Sequence, residues 1–263
     1  MQHPHTLAPA SPWLLSLRPA PASTLKLFAF PYSGGSASSY AHWRSTLDPT
    51  IELHAAQLPG RAMRMAEPPV QAMDELVEHL FHAIVPLLDK PYVFFGHSNG
   101  VLMAFALANR LLHEGMPPPA GLVLSGKAPP GASPVTDPIN ELPDDAFLAH
   151  LRKLGGTPRE LLDDAAIMQL FMPIIRADFA VGERFTLPRL HPALAAIPTL
   201  VLAGADDETT PDEVFAWTDI FPRAETACLH GGHFFIHTDE RFPARLNAFC
   251  REAITTPRPQ ADG

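Results

Sequence analysis

The residues Gly96-His97-Ser98-Asn99-Gly100 match the pattern G-x-S-x-G, which can hold a nucleophilic serine. The run 92–95 before them is wholly apolar or aromatic and predicts a buried strand, while 101–112 after them predicts an apolar helix. A sharp turn between strand and helix needs small flanking residues and lifts the serine hydroxyl above the sheet. We therefore expect Ser98 to be a nucleophile for acyl transfer, in preference to an incidental serine in a glycine-rich turn.

A serine hydroxyl is a weak nucleophile unless a base takes its proton and an acidic group orients that base. In this arrangement the acid and then the base follow the serine along the chain, each in a loop beyond a later strand. The predicted strand 226–229 is followed by His230-Gly231-Gly232-His233. We favour His233 over His230 as the base because two glycines let the chain bend toward Ser98, and we expect His237 on the following turn.

The orienting acid is expected in the loop Gly204-Ala205-Asp206-Asp207, which follows the predicted strand 199–203. Asp207 is favoured because the usual acid in such loops stands three residues after the glycine that ends the strand. Asp206 is expected to cap the turn or the next helix.

The oxygen of the attacked ester or thioester becomes an oxyanion and needs N–H donors that are already in place. We expect one donor to be the backbone N–H of Asn99, the residue after the nucleophile. The second should come from Ser33-Gly34-Gly35, after the predicted strand 25–30, where small residues let the backbone approach closely. Ser33 is the first choice for this donor, with Tyr32 as the alternative.

The elements that must position these residues alternate along the chain, which predicts an α/β fold with a parallel sheet and helices on both faces. Apolar runs of strand length occur at 25–30, 51–58, 92–95, 122–124, 199–203 and 226–229. Helical periodicity occurs at 73–88, 101–112 and 240–252, and a short helix is expected near 40–47.

The interval 126–198 breaks this alternation and is expected to be a helical lid inserted between two strands. It contains helix-like pieces at 144–154, 159–171 and 174–181, separated by prolines. Four of its apolar residues are expected either to line an acyl chamber or to form the core of the lid: Met168, Phe171, Met172 and Phe179. We expect one domain at 23–254, between a proline-rich flexible arm at 1–22 and a flexible tail at 255–263.

Composition narrows the possible partners. The chain has 263 residues and a formal net charge of −9, without a dense Lys/Arg cluster, so nucleic acid is not expected. No apolar run approaches the roughly 18–20 residues that cross a membrane, so we expect no membrane association. The two cysteines, Cys228 and Cys250, are too few for a disulfide framework and fit a reducing cytoplasm. Histidines 230, 233 and 237 have no accompanying carboxylate or cysteine pattern, so neither a metal nor another cofactor is expected.

Several stretches together resemble the type II thioesterases, stand-alone α/β-hydrolases that accompany polyketide synthases and nonribosomal peptide synthetases. They lie at 30–40 (FPYSGGSASSY), 57–61 (QLPGR), 94–100 (FFGHSNG), 125–130 (SGKAPP), 142–158 (LPDDAFLAHLRKLGGTP), 173–179 (PIIRADF), 204–208 (GADDE) and 231–235 (GGHFF). The LGGTP and RADF pieces are the most specific, because they lie in the predicted lid and are not shared by α/β-hydrolases in general.

The resemblance implies an enzyme that removes stalled or wrongly loaded acyl groups from the phosphopantetheine arm of acyl or peptidyl carrier proteins. Ser98, His233 and Asp207 would then form the catalytic triad, and Arg61 is a candidate contact for the phosphate of the arm. One departure is Asn99, where the family usually has Met, and its side chain is expected to change the polarity or shape of the acyl pocket. We expect a monomer.

Two other functions remain open at this stage. The same fold supports small-molecule carboxylesterases, since fold alone does not set the substrate. A non-catalytic module that binds carrier proteins is a third hypothesis, against which the complete triad argues.

Overall fold

The computed structural model describes residues 11–132, 138–156 and 159–255. The strands are β1 Leu14–Arg18, β2 Leu25–Phe30, β3 Ile51–Ala56, β4 Tyr92–His97, β5 Gly121–Ser125, β6 Thr199–Gly204 and β7 Glu225–Leu229. The α-helices are α1 Met73–Ile84, α2 Asn99–His113, α3 Asp144–Leu154, α4 Arg159–Leu162, α5 Ala165–Glu183, α6 Pro211–Phe215, α7 Phe235–Thr238 and α8 Phe242–Thr255. Short 3₁₀ helices include Ala37–Ser45 and Val85–Leu87.

The strands form one sheet in the order β1-β3-β2-β4-β5-β6-β7, parallel except for β1. Side chains alternate across it. Phe28 and Phe94 belong to a core shared with α1 and α2. Leu27 and Phe95 belong to the opposite core, shared with α8 and the 3₁₀ helix Ala37–Ser45. The predicted mostly parallel sheet with helices on both faces is confirmed.

The structure differs from the sequence-based expectation at the N-terminal arm, because β1 lies within 1–22 and pairs antiparallel with β3. Trp13 anchors this strand: its ring stacks on His79 with centroids 4.4 Å apart, and the Arg64 guanidinium lies 4.2 Å from its centroid. The proline-rich composition of this segment does not predict a strand. The strand forms because of contacts with residues that are distant in the sequence. The rest of the expected arm, 1–10, and the tail after Thr255 lie outside the described residues.

The described residues between β5 and β6 are helical and add no strand to the sheet, as expected for a lid. Helix α3 has the predicted bounds, but prolines do not separate the later pieces. Pro173 lies inside α5, and the chain instead breaks at Asp164, whose side chain accepts hydrogen bonds from the amides of Ala166 and Ile167 at 2.9 and 3.0 Å. A proline removes only one helical N–H donor, and α5 continues because its neighbouring residues are packed.

A separate apolar cluster holds the lid together, with Phe147 and Leu151 of α3 packed against Met168 and Ile175 of α5. By length and apolar composition, α5 also meets the criterion for a membrane-crossing helix, a test that the core helices of folded domains also pass. Because its Asp178 forms a buried ion pair with Arg61, we interpret α5 as a packed helix of this domain.

Candidate active site

Ser98 occupies a strained turn between β4 and α2. Its backbone has φ +52° and ψ −125°, a left-handed φ that residues with a side chain seldom adopt. The two flanking glycines are required sterically: a Cβ at Gly96 would lie 2.2 Å from the Gly100 carbonyl oxygen, and one at Gly100 would lie 2.1 Å from the Phe30 carbonyl oxygen. The turn therefore needs both glycines of the motif to hold Ser98 at the carboxyl end of β4.

We expect Gly100→Ala to destabilise the protein by about 2 kcal/mol or more, because its new Cβ meets rigid backbone of β2. Thermal unfolding should show a fall in Tm of about 5 °C or more. The matched control is Gly232→Ala, whose Cβ meets nothing closer than the Asp206 carbonyl oxygen at 3.6 Å. Equal Tm values for the two variants would contradict the steric interpretation.

His233 and Asp207 are brought together by the loops after β7 and β6. Asp207 Oδ2 lies 2.8 Å from His233 Nδ1, and the side chains are 1% and 9% exposed. A carboxylate at Nδ1 leaves Nε2 as the nitrogen that can accept a proton, which is the tautomer a general base requires. Asp206 is exposed, and the backbone N–H of His230 donates to Asp239 Oδ2 at 2.6 Å. The geometry thus favours Asp207 and His233 over their neighbours.

Ser98 and His233 line one cavity of about 470 Å³ beneath the lid. The candidate residues Met168, Phe171 and Phe179 line it too, and all three belong to or pack on the lid cluster, so they combine the two expected roles. Met172 is absent from this lining: it packs against the lid cluster, the second of its expected roles, and lines a different groove together with Asp144 and Arg176. The prediction missed Leu151, Leu154, Ile167, Ile175 and Phe234, which also line the cavity.

The two candidate oxyanion donors are the backbone amides of Asn99, which follows Ser98 in the chain, and Ser33. Asn99 is the first residue of α2, so its amide is one of the helix N–H groups without an intrahelical acceptor. Ser33 lines the cavity together with Ser98. Among the residues that the structure describes, neither the Asn99 amide nor the Ser33 amide donates a hydrogen bond. Tyr32 lines the same cavity, so the alternative donor remains open.

The side chain of Asn99 lies against the lid helix, which differs from the expected effect on the acyl pocket. Asn99 is 3% exposed, and its Nδ2 donates a hydrogen bond to the Asp178 carbonyl oxygen in α5. One turn later, a Cβ at Gly182 would lie 2.0 Å from Asn99 Oδ1. The side chain therefore contacts α5 and is absent from the cavity lining described above.

Arg61 is buried and engaged within the protein, so the structure does not present it to a phosphate group. It is 3% exposed and forms a bidentate ion pair with Asp178, with N–O distances of 2.6 and 2.8 Å. The sequence did not reveal this ion pair, because the partner lies 117 residues away along the chain. The apolar setting of Asp178 within PIIRADF was the one available indication that it is buried.

Two aromatic neighbours shape the environment of His233. His97 is fully buried, with its ring centroid 5.1 Å from that of His233, and burial holds the pKa of His97 well below its usual value. His97 is therefore neutral beside the candidate base. Phe234 also packs at 5.1 Å from His233, and a Cβ at Gly156 would lie 2.0 Å from Phe234 Cζ. Gly156, which follows α3, thus lets the lid pack against Phe234.

The sequence and the fold of this chain are similar to those of known thioesterases. A model of the thioesterase domain family matches residues 25–252. The gramicidin S biosynthesis protein GrsT of Aneurinibacillus migulanus is 34% identical over 227 residues, which cover 86% of this chain and 88% of that protein. Thioesterase PikA5 of Streptomyces venezuelae is 35% identical over 235 residues, covering 86% of this chain and 80% of PikA5. The type II thioesterase BorB from the borrelidin biosynthetic cluster has a TM-score of 0.80 and 29% identity, covering 93% of this chain and 98% of BorB.

Proposed function

Because this chain belongs to the thioesterase domain family, we propose that it is an editing thioesterase, which hydrolyses aberrant or stalled acyl groups from carrier proteins of nonribosomal peptide or polyketide synthesis. The resemblance to type II thioesterases and the expected α/β-hydrolase fold are confirmed by its relatives. The observation that carries the proposal is the cavity that Ser98 and His233 both line, with Asp207 hydrogen-bonded to His233.

The proposed reaction proceeds through an acyl-serine. His233 accepts the Ser98 hydroxyl proton as the oxygen attacks the thioester carbon, and the Asn99 and Ser33 amides stabilise the oxyanion. The C–S bond then breaks, and His233 gives its proton to the departing sulfur, which leaves as the free thiol of the phosphopantetheine arm. Water, deprotonated by His233, hydrolyses the acyl-serine and restores Ser98.

The cavity lining supports an acyl group that varies in shape. Phe171, Ile175 and Phe179 present apolar surface, and Met168 adds a flexible side chain that adapts to different contours. About 470 Å³ is within the range of small-ligand sites. A chamber of this kind suits an editor that accepts many incorrect acyl groups and depends on the carrier for recognition.

The remaining parts of the proposal concern partner, assembly and location. The partner is an acyl or peptidyl carrier protein with its phosphopantetheine arm, and the enzyme acts as a monomer. We place it in the cytoplasm, because Cys228 and Cys250 are both free thiols. Burial raises the pKa of Cys250 to about 12, which makes it unreactive.

The proposal is tested by presenting one short acyl group in three forms: on a carrier protein, on a pantetheine-like thiol, and as an aryl ester. We expect kcat/KM to be highest for the carrier-bound form, because carrier contacts add binding energy that the small molecules lack. Rates are measured by mass spectrometry of the carrier and by release of thiol or phenol.

The three forms also separate the competing functions. A preference for the aryl ester, with no gain from the carrier, would identify a small-molecule carboxylesterase. Binding of the carrier without hydrolysis of any form would identify a non-catalytic module. Mass measurement in solution checks the monomer independently.

A further inference from the structure

Asp178 of the lid helix is a buried acid in contact with the loop that follows β2. Its side chain is 4% exposed, and Oδ2 accepts a hydrogen bond from the backbone N–H of Gly34 at 2.7 Å. Gly34 directly follows Ser33, the candidate oxyanion donor. A carboxylate on the lid therefore fixes the amide next to the one that must face the reacting oxygen.

Arg61 strengthens this contact from the other side. It binds both oxygens of Asp178, and its Nη1 also donates to the Gly35 carbonyl at 3.1 Å. The backbone that presents Arg61 is under strain, because Ala62 has φ +50° directly after it. The two residues that follow Ser33 are thus tied to one buried ion pair.

The backbone of Asp178 reaches the other oxyanion donor. Its carbonyl oxygen accepts from the Asn99 side chain, while the Asn99 main-chain N–H, the other candidate donor, has no acceptor among the described residues. Gly182 provides the room for that side chain. One lid residue consequently contacts the segments of both candidate donors, through its carboxylate on one side and its carbonyl on the other.

We propose that Asp178 is a positioning residue, which holds the Ser33–Gly35 loop and the start of α2 at the spacing that the oxyanion requires. The inference rests on the proposed function, in that it assumes acyl transfer at Ser98. A buried ion pair is a poor source of stability, because desolvation of both charges offsets their attraction. Positional control gives this costly pair a function that apolar residues of the same size would not perform.

The first test is Asp178→Asn, which removes the charge and weakens the contacts to Arg61 and Gly34. We expect kcat to fall about 10–100-fold with KM within about threefold, because misplaced oxyanion donors act on the transition state. The matched control is Asp144→Asn. Asp144 is exposed and forms an ion pair of 2.8 Å with Arg176, which lies in α5 like Asp178, so this variant should leave kcat unchanged. Wild-type kcat in Asp178→Asn would overturn the proposal.

A second variant separates positioning from stability. Arg61→Met combined with Asp178→Leu removes both buried charges, and such exchanges are often neutral or stabilising. We expect Tm to lie close to the wild-type value while kcat is about 10–100-fold low, since the Gly34 amide has lost its acceptor. Recovery of kcat together with Tm would show a merely structural pair. If neither variant folds, Arg61→Lys, which keeps the charge but loses the bidentate geometry, is judged by the same kcat criterion.

All variants are assayed with both the aryl ester and the carrier-bound thioester. The oxyanion forms with either acyl donor, so the aryl ester tests Asp178 whatever the natural substrate is. If the wild-type protein hydrolyses the aryl ester but not the carrier-bound thioester, the editing function is refuted. The role of Asp178 can still be tested with the aryl ester in that case.

Discussion

Ser98→Ala is expected to lower kcat for thioester hydrolysis by at least about a thousandfold while leaving the fold unchanged. The substitution removes the oxygen that we propose forms the acyl-serine, and triad members that act together contribute several powers of ten. Cβ is retained, so the backbone at φ +52° is no more strained than before, and no core volume is lost. Tm should stay within about 2 °C of the wild-type value.

The measurement combines steady-state hydrolysis with mass spectrometry of the protein after reaction with a fluorophosphonate. Wild-type protein should gain one adduct on Ser98, and the variant should gain none. Ser45→Ala, at an exposed position that does not line the cavity, controls for the loss of a serine hydroxyl. A Ser98→Ala variant that keeps more than about a tenth of kcat would remove Ser98 from the mechanism.

Asp207→Asn is expected to lower kcat by about three to four powers of ten. The amide is nearly the same size as the carboxylate, but it no longer stabilises the protonated His233 and can hold the ring in the wrong tautomer. Asp207 Oδ1 also accepts from the Thr209 amide at 3.3 Å, a contact that an asparagine oxygen can keep. The loss should therefore appear in the rate far more than in Tm.

The neighbouring carboxylate provides the matched control. Asp206→Asn should change kcat less than about threefold, because that side chain is exposed and its backbone N–H, which donates to the Gly231 carbonyl, is unaffected by the exchange. Both variants are measured with the aryl ester and with a carrier-bound acyl group. The reverse ranking would move the orienting role to Asp206.

Local sequence patterns were enough to predict most of the sheet and the turn that holds Ser98. Strands β2, β4 and β6 are buried throughout, so their sequences are mostly apolar, with Lys26 as the one charged residue among them. The glycines around Ser98 belong to the same short motif as the serine. A Cβ at either glycine would clash with backbone atoms. The expected triad could also be predicted locally: the acid and the base follow Ser98 in the usual chain order, and Asp207 stands three residues after Gly204.

Other features depended on contacts that no local pattern records. β1 lies in a proline-rich segment and is held by pairing with β3 and by the stacking of Trp13 on His79. Pro173 was expected to separate two helices, but packing of the lid carries α5 through it. Met172 was expected either near the acyl group or in the lid core, and only the fold decides between them: it packs on the lid cluster and does not line the cavity of Ser98.

The amino-acid sequence by itself therefore determined the chemistry available to this protein: a serine in a turn that only glycines permit, followed by an aspartate and a histidine in glycine-containing loops. Only the tertiary structure decided what Arg61 and Asn99 do. Both side chains appear free in the sequence, and both are bound to Asp178, which lies 117 residues from Arg61 and 79 from Asn99. The physical reason is that a buried charge or amide must find a partner wherever the fold brings one.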